Sequence, residues 1–205
     1  GKELGSVEKT TESLVKLINV FEGPGKTSEQ TVLRYGNALI DLANKGVATG
    51  DFLVDFAQRL AGIEGITKIQ IQSVLGLAAA FQETGQSAEV SASAVTQLLT
   101  KIGKDVPKYA ALAKINEEIF RKLLRENPAE ALLSLAQNLK GNSKAFDEIS
   151  SKFADLEARG VRITSIFGVM ADKTDFFREK IGIATAALKN NGALIEGAAQ
   201  KQQTF

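Results

Sequence analysis

The stretch Glu126–Gly141 reads ENPAEALLSLAQNLKG. Asn127 is suited to cap a helix, because its side-chain oxygen can accept from backbone N–H groups that have no partner in a first turn. Pro128 follows at the first helical position, where the missing N–H removes nothing and the fixed φ already suits a helix. Glu130 offsets the positive end of the helix dipole. Leu132, Leu133, Leu135, Ala136 and Leu139 then recur at threes and fours, placing one apolar face toward a core. Lys140-Gly141 ends the segment with a basic residue and a glycine able to take the left-handed cap.

The same grammar extends in both directions. Toward the N-terminus, Asn116 with Glu117 and Glu118 predicts another capped helix, and a short one is expected over Pro107–Ala113. Ser87 opens a helix closing near Gly103. Thr67 with Gln70 reads as a capping box for a helix reaching about Thr84, with Gly85 behind it. Thr49 caps a helix carrying Phe52, Leu53, Phe56 and Leu60 that ends before Gly62. Val32, Leu33, Leu39, Leu42 and Ala43 form an apolar stripe up to Lys45-Gly46, and Val7, Leu14, Leu17, Ile18 and Phe21 another. Gly23-Pro24-Gly25 cannot continue that first helix. Toward the C-terminus, Ser143 caps a helix through Phe146, Ile149, Phe153 and Leu156 to Arg159-Gly160. Val161–Ala171 follows, then a long helix from Thr174 to Asn190, and a last one after Gly192. Only Ile69-Gln70-Ile71 alternates as a strand would. The expectation is an all-α fold, a compact array of about ten short helices with tight Gly, Pro and Asn turns and no sheet. A faint echo at an offset of 38 residues pairs Leu39 with Leu77, Phe52 with Val90 and Leu60 with Leu98.

Composition narrows the chemistry. The 205 residues carry 25 Lys plus Arg against 24 Asp plus Glu, so a general polyanion binder with a basic excess on one face is not expected. Cys, His and Trp are all absent, which excludes His-based triads, thiol nucleophiles and nearly all zinc sites. The missing cysteines fit a reducing compartment. The longest charge-free run, Ile69 to Gln82, is broken by Gln and Ser and is too short to span a bilayer. GKELGSVEKTTES lacks the apolar stretch of a signal peptide, and the sequence starting at Gly1 is expected to be a piece of a longer protein.

Each candidate for chemistry has a plainer reading. Gly23-Pro24-Gly25-Lys26-Thr27 resembles part of a phosphate-binding loop, but Val20 stands where the first glycine belongs and a helix rather than a strand precedes it. An interhelical turn capped by Thr27 or Ser28 is expected. Asp51 and Asp55 share a helix face at a paired-carboxylate spacing, while Glu117–Glu118 and Asp147–Glu148 are adjacent acids that diverge. All lie near first helical turns, where acids oppose the dipole. Arg121, Lys122 and Arg125 form one basic group and Lys101 with Lys104 another; neither is interleaved with aromatics as a single-strand platform would be. The phenylalanines and Met170 fall on apolar stripes and read as core. No catalytic, cofactor-binding or metal-binding residue is assigned.

Taken in order, GNALIDLANKG (Gly36–Gly46), LGLAAAFQETGQSAEVSASAVTQLLTKI (Leu75–Ile102), ENPAEALLSLAQNLKG, GVRITSIFGVMA (Gly160–Ala171) and the Asn190–Leu194 ending resemble the core region of phage tail tape measure proteins. The resemblance covers about residues 30–195; Ser91-Ala92-Ser93-Ala94 departs from an Ala-Gly pattern frequent in the family. It leaves an N-terminal helix and turn, residues 1–28, outside the resemblance and takes in a helical domain over 29–205; a drop in apolar content places a soft boundary near 101–107. It implies a non-enzymatic component of a phage or prophage tail that templates tube assembly and length. The implied partners are tail-tube, chaperone and baseplate proteins and other copies of itself, without specific nucleic-acid binding, cofactor or membrane span. The implied location is the interior of the tail tube in the virion, and the host cytoplasm during assembly. An alternative is a helical-hairpin adaptor that grips another protein in an apolar groove. A wall hydrolase would need two carboxylates converging in a cleft.

Overall fold

A computed structural model describes residues 7–46, 48–61, 69–153 and 158–203. Eleven helices follow one another: α1 (Val7–Phe21), α2 (Glu29–Asn44), α3 (Gly50–Ala61), α4 (Ile71–Glu83), α5 (Ala88–Lys104), α6 (Val106–Leu112), α7 (Glu117–Glu126), α8 (Pro128–Leu139), α9 (Ser143–Ser151), α10 (Ala158–Asp172) and α11 (Thr174–Gln203). The described residues contain no strand, and the chain is all-α as expected.

The helix at the centre is α4. Every residue from Ser73 to Phe81 is buried, so no side of it is left to solvent. A helix apolar on all sides needs neighbours on all sides; α3, α5 and above all α11 supply them. Gly76 lets α11 approach so closely that a methyl group there would lie 2.6 Å from the backbone nitrogen of Ile181. Beside this crossing Phe81 meets Phe56 of α3 at 5.7 Å and Phe177 of α11, edge-on, at 4.8 Å. Burial of one such ring contributes about 1.5–3 kcal/mol. Around this centre α11 also covers α2, while α1 packs on α3, α5 on α10, and α8 on α7 and α10. Nearly all the buried apolar side chains from Leu14 to Ala184 belong to one continuous cluster.

The capping residues read from the sequence largely do what their chemistry suggests. Backbone N–H groups donate to the side chains of Ser28, Ser87, Asn116 and Asn127, and the Phe52 amide to Thr49 Oγ1. Gly23, Gly25, Gly85 and Gly141 all have positive φ, as the turns they occupy require.

Five boundaries differ from expectation. Thr67 lies outside the described residues, and α4 begins only at Ile71, with Gln70 extended at the cap and its side chain not capping the helix, Nε2 donating instead to the carbonyl of Glu126 at 3.2 Å. Gly46 is not a left-handed cap, since Lys45 closes α2 through its own N–H to Asp41 and Leu42. A side chain at Gly46 would run into the Glu83 carboxylate, so this glycine serves close packing. Asn142 rather than Ser143 caps α9, because its oxygen reaches the Ala145 amide. That helix stops at Ser151, and Gly160 lies inside α10, where any Cβ would overlap the carbonyl of Phe153; Leu156 is outside the described residues. Last, α11 runs through Asn190-Asn191-Gly192 without a break. One interior glycine costs a helix only about 1 kcal/mol and need not end it.

Leu33 departs in another way. It fits the apolar period of α2 but faces outward, 47% exposed, because Tyr35, Ala38, Leu39 and Leu42 form the side turned to the core.

Candidate functional site

The most developed polar arrangements lie along the first half of α11. Phe177, Lys180, Ala184 and Ala187 fall on its buried stripe, so a lysine occupies a core position. Burying an ammonium is tolerable only with a partner, and Lys180 Nζ finds Glu83 at 2.8 Å, with the Phe176 ring 5.1 Å away. On the neighbouring face Arg178 takes Glu130 in a forked contact, its Nε 3.1 Å from both carboxylate oxygens and Nη2 2.6 Å from Oε1, while Nη1 donates to Gln137 at 2.8 Å. The hydrogen bond to Glu130 holds the Arg178 guanidinium above its ordinary pKa. One turn of α11 is thereby tied to α4 and, separately, to α8. These bonds bring together residues 97 and 48 positions apart in the chain and serve architecture.

Several other charged residues sit at helix ends and helix junctions. Lys101 Nζ donates to the carbonyl of Lys152 at 2.6 Å, and Lys140 Nζ to that of Asp172 at 3.2 Å. Each lysine thus satisfies the negative end of a different helix from its own. Where α1 meets α2, Glu22 accepts from Tyr35 Oη at 2.8 Å and from Arg34 Nη2 at 2.5 Å. Burial, reinforced by Glu22, pushes the Tyr35 phenol above its ordinary range. Between α6 and α9, Lys108 and Glu148 pair at 2.7 Å, which lowers the carboxyl and raises the amine.

The motifs singled out in the sequence lie on separate helices and turns. In Gly23–Thr27 the amides do not converge: Lys26 N–H turns back on Gly23, and Thr27 Oγ1 donates to Asn19. Asp51 and Asp55 sit exposed on α3, and Asp55 is paired with Arg59 one turn along. Glu117 pairs with Arg121, and Lys122 lies 4.0 Å from Glu126. Asp147 and Glu148 diverge, Glu148 toward Lys108 and Asp147 onto the rim of a shallow pocket. That pocket, about 360 Å³, lies between the α8–α9 turn and α10, with Phe146, Gly168 and Ala171 in its wall. Among the described residues no three carboxylates come together as a metal-binding group.

A family model described as phage-related minor tail protein matches residues 2–168, from the segment preceding α1 into α10. The chain belongs to the phage-related minor tail protein family. No curated protein and no solved structure gives a significant match. A minor tail protein is a structural part of a phage tail, and its interactions are with other tail proteins. Among the described residues, no helix of this minor tail protein is long and apolar enough to cross a membrane. The sequence reading did not single out the Arg178–Glu130 and Lys180–Glu83 bonds. The signal was nevertheless present: Lys180 interrupts an apolar stripe between Phe177 and Ala184, a position where a charge implies a buried partner.

Proposed function

We propose that this minor tail protein is the core segment of a tape measure protein, acting as a compact node for assembly while an extended stretch elsewhere sets tail length. The observation carrying this reading is that a chain matching a tail-protein family folds back on itself, its last helix covering α2 and α4. Stretched as one helix, 205 residues would reach about 310 Å at about 1.5 Å per residue. Folded, a chain of this length has a radius of gyration of about 17 Å. A ruler needs the first geometry, and a docking node suits the second.

On this reading the node is non-enzymatic and takes in residues 29–205 together with α1, whose Leu14, Leu17 and Ile18 join the same core. It meets tail-tube, chaperone and baseplate proteins as well as other copies of itself, first in the host cytoplasm and then inside the tube. In-frame deletions in the parent gene, scored by electron microscopy of tails, test it. Deletions outside this segment should shorten tails in proportion, by about 1.5 Å for each helical residue removed. Removing α3–α5 should abolish tails without giving graded lengths. Tails of unchanged length in the first case, or graded shortening in the second, would refute the assignment.

A further inference from the structure

The outer face of α2 repeats in a way the core does not explain. Its inward side is Tyr35, Ala38, Leu39 and Leu42. Half a turn away, at steps of three and four, stand Gln30, Leu33, Asn37, Ile40 and Asn44, and all five are exposed. Ile40 is 58% exposed, more than Leu33. Amides occupy one alternating position of this seam and aliphatic side chains the other, the spacing by which two helices pack side chain against side chain.

We propose that this face binds the same face of a second copy of the chain, with the two α2 helices parallel. Parallel pairing puts like opposite like. Leu33 meets Leu33 and Ile40 meets Ile40, while Asn37 and Asn44 each meet their own counterpart, where one carboxamide donates and the other accepts. An antiparallel pair would set the aliphatic positions against the amides and leave both poorly matched. The flanking charges agree with the parallel choice. Glu29 of one copy stands beside Arg34 of the other, the spacing at which interhelical ion pairs form in parallel coiled coils, and the relation is reciprocal across the two-fold axis. Arg34 can meet Glu29 while keeping Glu22, because Nη2 serves Glu22 and a guanidinium carries five N–H donors. A buried amide layer also disfavours an apolar partner of another kind, since each Asn would then lose its hydrogen bonds. Two aliphatic layers make a small interface, so the association is weak and concentration-dependent. This surface deepens the self-association included in the proposed function, and its test by crosslinking and mass is separate from the tail-length test of that reading.

The chain has no cysteine, which makes disulfide trapping clean. Leu33→Cys and Ile40→Cys, each alone in the full chain under mild oxidation, should form crosslinked dimers. Ser165→Cys, exposed on α10, serves as the background. Adding Asn37→Asp to either seam variant should cut the yield, because two carboxylates would then face each other. Sedimentation equilibrium of the cysteine-free chain should show the mean mass rising with concentration from 21.9 kDa toward twice that value. Circular dichroism confirms that each variant is folded. The proposal fails if the seam cysteines crosslink no better than Ser165→Cys, or if Leu33→Cys pairs with Ile40→Cys in preference to itself. A mass that stays at the monomer value at every concentration also overturns it.

Discussion

Replacing Gly76 by alanine adds one methyl group where α4 and α11 cross at close range. The new carbon would lie 2.6 Å from the Ile181 nitrogen and 2.7 Å from its Cγ1, well inside van der Waals contact. Backbone cannot rotate away as a flexible side chain would, so α4 and α11 must separate. Separation loosens the Phe81–Phe177 contact beside them. Overpacking of this kind costs about 3 kcal/mol at the upper end of its usual range, against which alanine returns about 1 kcal/mol of helix propensity. The net expectation is a loss of about 2 kcal/mol, or about 4–8 °C in Tm for a chain of this size. Gly182→Ala is the matched control: it lies on α11, where an added Cβ meets nothing within 4 Å. Propensity then acts alone, and stability should rise by about 0.5–1 kcal/mol. Urea unfolding followed by helical circular dichroism would measure both at once. A Gly76→Ala chain as stable as the parent, or more so, would refute the crossing geometry.

Three further outcomes follow from the polar contacts and the backbone. Lys180→Met leaves Glu83 nearly buried without its cation and should cost about 3 kcal/mol; adding Glu83→Gln should recover most of the loss in the same unfolding assay. The two tyrosines, Tyr35 and Tyr109, both have phenols raised by burial above the ordinary 10.0, so ultraviolet titration should show no tyrosinate step at that pH while the chain is folded. Because the folded values exceed the unfolded one, this contribution to stability is complete below pH 10 and lost as the pH rises further; urea midpoints should fall above pH 10, and less so in Tyr35→Phe. Lys114 holds a φ of 54°, a left-handed conformation uncomfortable for a residue with a Cβ. Lys114→Gly should therefore raise the unfolding free energy by about 1 kcal/mol, and an unchanged urea midpoint would count against it.

Local order in the sequence carried the helices well, because caps are short-range chemistry. Asn127-Pro128 and Ser87 need only the next three residues to act, and both act as read. Glycine was harder, since one residue type serves three purposes. Gly141 turns the chain with positive φ, Gly46 and Gly160 make room for neighbours far along the sequence, and Gly192 does neither an obligatory turn nor a stop. Which purpose applies depends on what packs opposite, and that is not local information. Leu33 shows the same limit: its period is helical, yet only the placement of α11 against α2 decides which side of the helix is inside. The Glu83–Lys180 and Glu130–Arg178 bonds likewise required a tertiary neighbour that no spacing rule names.

Because α11 supplies the missing side of α4, the order of synthesis matters. When Glu83 leaves the ribosome, the groove that Phe177 and Ile181 will fill is still bare, and about 100 residues remain before α11 has emerged as far as Asn190. At about 5–20 residues per second the nascent chain keeps that oily strip open to its surroundings for about 5–20 s. During that interval a holding factor could bind the strip, and the arrival of the last helix would displace it.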